Sequence, residues 1–180
     1  MSDPEIILDF WFNEIDPAQW WRKDPAFDSQ LKQRFGQLHH DVAFTGAHNW
    51  RDHANGRLAE VIVLDQFSRN LYRNDARAYA WDAVALQLTE TAIALGVDTI
   101  LPAPRRAFLY MPFMHSESLA HQQRSLELFA GIAETGNLNS AQRHFDVVQQ
   151  FGRFPHRNIV LGRASTAAES VFLQQSGSRF

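Results

Sequence analysis

Cysteine is absent from this sequence. Disulfide frameworks, thiol nucleophiles and thiolate metal sites are therefore excluded together. Long hydrophobic runs are also missing: no window holds the 18 or so consecutive apolar residues that a membrane-spanning helix needs. The opening stretch MSDPEIILDFWF carries acidic residues where a secretory leader would carry basic ones. The expectation is a soluble, cytoplasmic protein with no membrane partner. Glycine is used sparingly and never in a chemical signature. There is no Gly-x-Ser-x-Gly elbow, no P-loop and no Gly-x-Gly-x-x-Gly, which removes the commonest hydrolase, NTPase and dinucleotide readings. Lysine is almost missing too, since only Lys23 and Lys32 stand among 17 basic residues.

What is present is ordinary for a globular chain. Hydrophobic residues make up 45% and charged residues 21% of 180 residues, enough to bury one substantial core. No Pro/Gly/Ser-rich linker divides it, so residues 1–180 are expected to form one domain. The charge is unevenly spread. Residues 1–65 hold 11 acids and 6 bases, whereas residues 147–180 hold 1 acid and 4 bases. A net charge of −3 argues against nonspecific nucleic-acid binding, while the positive C-terminal third leaves room for a small anion. The arginine bias fits either recognition of carboxylate and phosphate or simple GC-rich codon usage.

Helix signals dominate. Ser2 or Asp3 caps a first helix with Pro4 behind it, and Asp24 with Pro25 repeats the device ahead of a stripe of Phe27, Leu31, Phe35, Leu38 and Val42. GRLAEVIVLDQF is apolar nearly all round, as expected of a buried helix. Gly96 and Gly136 read as residues that end helices, and Asn139 as a cap that starts one. Thr166 and Glu169 have capping-box spacing. No stretch alternates long enough to be a strand. Successive helices with short connections predict an all-α fold of antiparallel pairs.

Three places carry candidate chemistry. Asp65 shares an apolar face with Leu58, Val61 and Ile62 and needs a partner, which Arg69 supplies one turn later. The apolar run Ala107–Met114 is interrupted by Pro112 and ends in His115, Ser116 and Glu117. There the proline frees carbonyls for nearby donors, and His115 and Glu117 form a candidate acid–base pair or, alternatively, simple helix caps. The stretch FGRFPHRNIVLGRAS groups Arg153, His156, Arg157, Asn158 and Arg163 around a proline that can open a short helix, a setting suited to an anion. Its Phe and Arg-Asn pattern echoes DQFSRNLYR, with Arg69 and Asn70, so the two stretches are expected to approach each other. Glu117 and His121 have metal-compatible i, i+4 spacing, but no second pair accompanies them. Neither a metal nor another cofactor is expected.

Together LDFWF, WWRKD, LDQFSRN, RAYAWD, MHSES, FGRFPHRN and LGRAST resemble the bacterial domain-of-unknown-function 924 family, from about residue 5 to the C-terminus. The resemblance implies a helical fold similar to tetratricopeptide repeats, a right-handed array, although no 34-residue repeat is legible. Family members usually place proline where Ser68 stands and Asp near the position of His121. The resemblance implies no catalytic residues. Two function classes follow. One is a site for a small anionic, phosphate- or carboxylate-bearing ligand, with His115 and Glu117 as candidate catalytic groups and Arg69, Asn70, Arg153, His156, Arg157, Asn158 and Arg163 as binding groups. The other is a tetratricopeptide-like module that binds a peptide or protein, whose arginine motifs only hold helix corners. Oligomeric state is open at this level.

Overall fold

The computed structural model describes residues 3–178, and every regular element among them is helical. Helix α1 is Glu5–Asp9, and it runs on as a wider π-helical segment over Phe10–Glu14. Pro4 stands at the N-cap, one residue later than expected, and Asp3 ahead of it accepts a hydrogen bond from the Glu5 amide (3.0 Å); Ser2 lies outside the described residues. Helix α2 is Pro25–Thr45, opened by Asp24, whose side chain accepts from the Ala26 and Phe27 amides. A third Asp-Pro pair, Asp16-Pro17, caps the 3₁₀ segment Pro17–Trp21 in the same way.

Helix α3, Ala54–Ile62, passes without a break into a π-helical segment, Val63–Phe67, and then α4, Ser68–Leu71. Leu58 through Ser68 are all buried, as the all-round apolar pattern requires. The remaining helices are α5 (Asp82–Ala94), α6 (Ala103–His115), α7 (Leu119–Ala130), α8 (Leu138–Phe151) and α9 (Ala167–Phe172). Gly96, Gly136 and Gly152 stop the chain in the left-handed conformation at φ 70°, 77° and 69°. Asn139 lies inside the first turn of α8, so the expected Asn cap is not used. The preceding Asn137 makes no capping bond either. The Thr166–Glu169 capping box is complete.

Helix α3 is central, packing on α1, α5 and α6, while α6, α7 and α8 pack successively on one another. The core between the segment after α1, α2, the Val63–Phe67 segment and α6 is strongly aromatic: Phe10 contacts Phe27, Phe35 and Phe67, and Trp11 contacts Phe67 and Phe108. Each such fully buried ring contributes about 1.5–3 kcal/mol relative to exposure. Pro112 does not end α6, which closes three residues later at His115. The freed end carbonyls have donors. Gln122 Nε2 reaches Met114 O (2.6 Å) and Ser116 O (2.7 Å), and Arg157 Nη2 reaches His115 O (2.9 Å).

Candidate functional site

The π-helical segment packs against α2 and α5 and places Asp65 with its side chain only 1% exposed, where His115 at the end of α6 reaches it. Isolated π-helical turns insert a residue into the helical register and are frequent at functional sites. An ionised group at that depth needs strong partners, and Asp65 has three. Oδ1 accepts from His115 Nδ1 (2.8 Å) and pairs with Arg69 Nη1 (3.1 Å), while Oδ2 accepts from Gln66 Nε2 (2.6 Å). Burial raises the carboxyl pKa, but Arg69 and His115 outweigh it and hold Asp65 ionised well below the usual range.

Arg69 looks two ways. It donates to the Asp65 carbonyl (2.9 Å) and forms a bidentate pair with Asp82 at 3.0 Å through both Nη atoms. Asp82 lies in the first turn of α5, and it also meets Arg157 Nη1 at 3.4 Å. The two Phe and Arg-Asn stretches therefore approach each other as expected, through one shared carboxylate. Arg157 lies between the rings of Tyr79 (4.5 Å) and Phe154 (4.6 Å) and is 6% exposed. Its Nε has no hydrogen-bond partner among the described residues. Burial and the neighbouring Arg69 lower the pKa of this guanidinium, the sign of a positive charge with too little compensation.

These groups border a cavity of about 770 Å³. Among the described residues its charged lining is Arg22, Lys23, Arg69, Arg73, Arg143 and Arg157, with no acidic side chain. The carboxylates that balance Arg69 and Arg73, namely Asp65, Asp82 and Asp28, stand behind the wall. Asn70 lines the cavity as well, and it donates to Asp28 (2.8 Å) beside Arg73. Trp20, Trp21, Tyr79, Met111 and Met114 supply an apolar side. Three imidazoles also line it: His115, His144 and His156. Burial lowers the pKa of all three, to about 3 for His144 and about 3 for His156, so they are neutral near pH 7.

The structure divides the residues singled out in the sequence. Arg69, Asn70, His115, His156 and Arg157 meet at the cavity, whereas Glu117, Arg153, Asn158 and Arg163 do not line it. Glu117 is not paired with His115. It takes two bonds from Arg163 (2.7 and 2.9 Å) and one from the Phe154 amide (2.8 Å). Arg153 forms a bidentate pair with Glu169 (2.7 and 2.9 Å), and Asn158 bridges Ser165, Glu169 and Arg163. Pro155–Arg157 is only a single 3₁₀ turn, so the positive charge there comes from Arg157 and not from a helix terminus. His121 bonds Ser116 Oγ (2.9 Å) and shares no partner with Glu117. No group of three His, Asp or Glu among the described residues is placed to hold a metal ion.

Residues 7–177 match the family described as bacterial protein of unknown function, DUF924. The chain belongs to this family. Among solved structures, a protein of unknown function from Agrobacterium tumefaciens is 38% identical, covers 95% of this chain and 96% of its own, and superposes with a TM-score of 0.90. No curated protein matches. Ser68 is buried and its hydroxyl lies 2.7 Å from His39 Nε2. The helix runs through that position from the π-helical segment into α4, with Asp65 and Arg69 one turn apart. No helix among the described residues is long and apolar enough to cross a membrane.

Sequence reading passed over Asp82 and Tyr79, although both lie in the quoted RAYAWD motif. It also passed over Arg73, His144, and Arg22 with Lys23 at the rim. Asp82 had a legible signal, since an acid at the start of an Ala-rich helix is a natural partner for a nearby arginine. His144 had none, because a lone histidine on an amphipathic helix reads as core.

Proposed function

We propose that the cavity binds a small organic anion. Its phosphate or carboxylate would sit against Arg157 and Arg69, and its apolar or aromatic body along Trp20, Tyr79, Met111 and Met114. The observation that carries this reading is the sign of the lining: among the described residues, six Arg or Lys and no Asp or Glu. Arginine forks match the geometry of such groups, and a cavity with apolar walls strengthens the attraction. The guanidinium of Arg157 is compensated only in part by the protein, through Asp82 at 3.4 Å, which leaves attraction over for a ligand anion. The alternative, a tetratricopeptide-like interaction module, draws support only from the corner of Arg153, Asn158 and Arg163, where each arginine is fully matched by the protein's own acids.

Titration with inorganic phosphate, pyrophosphate, citrate and phenyl phosphate tests the reading, with calorimetry and thermal shift as readouts and sodium chloride as the ionic-strength control. Saturable stabilisation by at least one of them is expected. Arg157→Met should abolish it while moving the melting temperature by no more than about 2–4 °C, the equivalent of 1 kcal/mol in a domain of this size. The variant loses the bond to the His115 carbonyl, a cost of about 1 kcal/mol, while Asp82 keeps Arg69 as its partner and a buried cation is replaced by an apolar chain. If none of the four anions binds, or if Arg157→Met binds them as well as the parent, the reading falls.

A further inference from the structure

Glu117 was the natural partner for His115 in the sequence, and the structure gives that place to Asp65. A carboxylate on Nδ1 fixes the tautomer of a histidine and leaves Nε2 as its bare nitrogen. Here the carboxylate is 1% exposed, the Nδ1···Oδ1 distance is 2.8 Å, and the ring lines the cavity. Among the described residues Nε2 has no protein partner. Arg69 and Arg157 border the same space, and Arg157 is fixed to the His115 carbonyl. A base and two cations thus converge on one cavity, with the carboxylate that orients the base behind its wall, the constellation that proton abstraction requires.

We propose that His115 is a general base acting on the bound anion, with Asp65 as its positioning residue. The substrate class is a carboxylate- or phosphate-bearing small molecule with an acidic C–H or O–H next to the anionic group. In the step, that bond to hydrogen breaks and a new N–H bond forms at Nε2. The electron pair stays on the substrate, where the negative charge that develops faces the two guanidinium groups. The Nδ1 proton stays on the ring, and Asp65 accepts its hydrogen bond and offsets the charge on the imidazolium. No oxidant, metal or second substrate is needed. The proton can return to the same atom or to a neighbouring one, which makes exchange or isomerisation the reaction type. The assignment rests on the anion-site reading, because only that reading places a substrate beside Nε2.

Two measurements on the full chain test it. Long-range ¹H–¹⁵N spectra of histidine-labelled protein near pH 7 should show His115 neutral, with the proton on Nδ1; an Nε2–H tautomer or an imidazolium would overturn the proposal. Diethyl pyrocarbonate, mapped by peptide mass spectrometry, should acylate His115 at Nε2. His40, whose side chain is 62% exposed, serves as the internal reference. Modification of His40 with none at His115 would likewise overturn it. Inorganic pyrophosphate should block acylation of His115 and not of His40. Acylation that pyrophosphate leaves unchanged would overturn the anion-site reading and the substrate class with it, while the tautomer result would still judge the dyad separately. Asp65→Asn should move the proton to Nε2 and suppress acylation. If that variant does not fold, the two wild-type measurements decide alone.

Discussion

Arg153 and Arg157 are four residues apart in one arginine-rich stretch, yet they face opposite electrostatic settings. Arg153 meets Glu169 through two short bonds, and its neighbour Arg163 meets Glu117 through two more. Each positive charge in that corner has its own carboxylate. Arg157 has only the far edge of Asp82 at 3.4 Å, and Arg69 already holds that carboxylate at 3.0 Å. The difference separates two uses of the same residue. A matched arginine ties helix ends together, whereas an under-matched one beside a cavity keeps attraction to spare for something that is not protein. Four predictions bear on this contrast, from the largest effect to the smallest.

The wall should depend most on its deepest carboxylate. Asp65→Ala removes the partner of Arg69 and His115 from a fully buried position, and breaking such a pair costs about 3–5 kcal/mol. Chemical denaturation should show a loss of that size. A change of a few tenths would mean that the wall does not rest on Asp65. In the corner, Glu117→Ala leaves Arg163 and the Phe154 amide without their acceptor. Hydrogen bonds to charged groups contribute about 1.5–3 kcal/mol, so the loss should be smaller. Anion binding should survive it, because Glu117 does not line the cavity. If Glu117→Ala abolished binding while folded, the separation of corner from wall would be wrong.

Acid should also distinguish the two regions. His144 and His156 in the wall are pushed by burial from 6.5 to about 3, and His39 beneath Ser68 to about 4. In the unfolded chain they bind protons readily below pH 6.5, and in the folded one they do not. Their contribution to stability is therefore fully present above about 6.5 and is lost as the pH falls from there towards 3. The corner behaves differently. Glu169, held down to about 2 chiefly by its bond from Arg153, starts to lose its contribution only below 4.5. The melting temperature should fall between pH 7 and 5. His144→Gln should flatten that slope and Glu169→Gln should not.

The sequence carried much of this and missed a definable part. The helices were legible because Asp24 with Pro25, Gly96 and the Thr166–Glu169 box act within a few residues of themselves. The pairing of Asp65 with Arg69 was legible for the same reason, being one turn long. Asp65 with His115 is 50 residues apart and depends on a π-helical register that no apolar periodicity announces. The split of Arg153 from Arg157 is equally a matter of which neighbour the chain folds against. Spacing in FGRFPHRN says that the arginines are close, while the acids that tell them apart, Asp82 and Glu169, lie 75 and 16 residues away from Arg157 and Arg153.

The smallest effect concerns the rim, and it tests whether the excess charge of the cavity extends beyond Arg157. Lys23 lines the opening, is exposed, and forms no ion pair among the described residues. It lies two residues beyond the 3₁₀ segment Pro17–Trp21. An exposed charge acting across water contributes about 0.2–1 kcal/mol, equivalent to a factor of up to about five in affinity. Lys23→Ala should therefore weaken phosphate or pyrophosphate binding by that factor and leave the melting temperature unchanged. The deficit should vanish as salt rises towards 1 M, where screening acts over about 3 Å. The loss caused by Arg157→Met should persist, because Arg157 is shielded from salt by Tyr79 and Phe154. If salt erased both differences equally, the attraction would be that of a diffuse basic face. A Lys23 effect that salt removes, beside an Arg157 effect that it does not, would locate the binding energy at the buried wall.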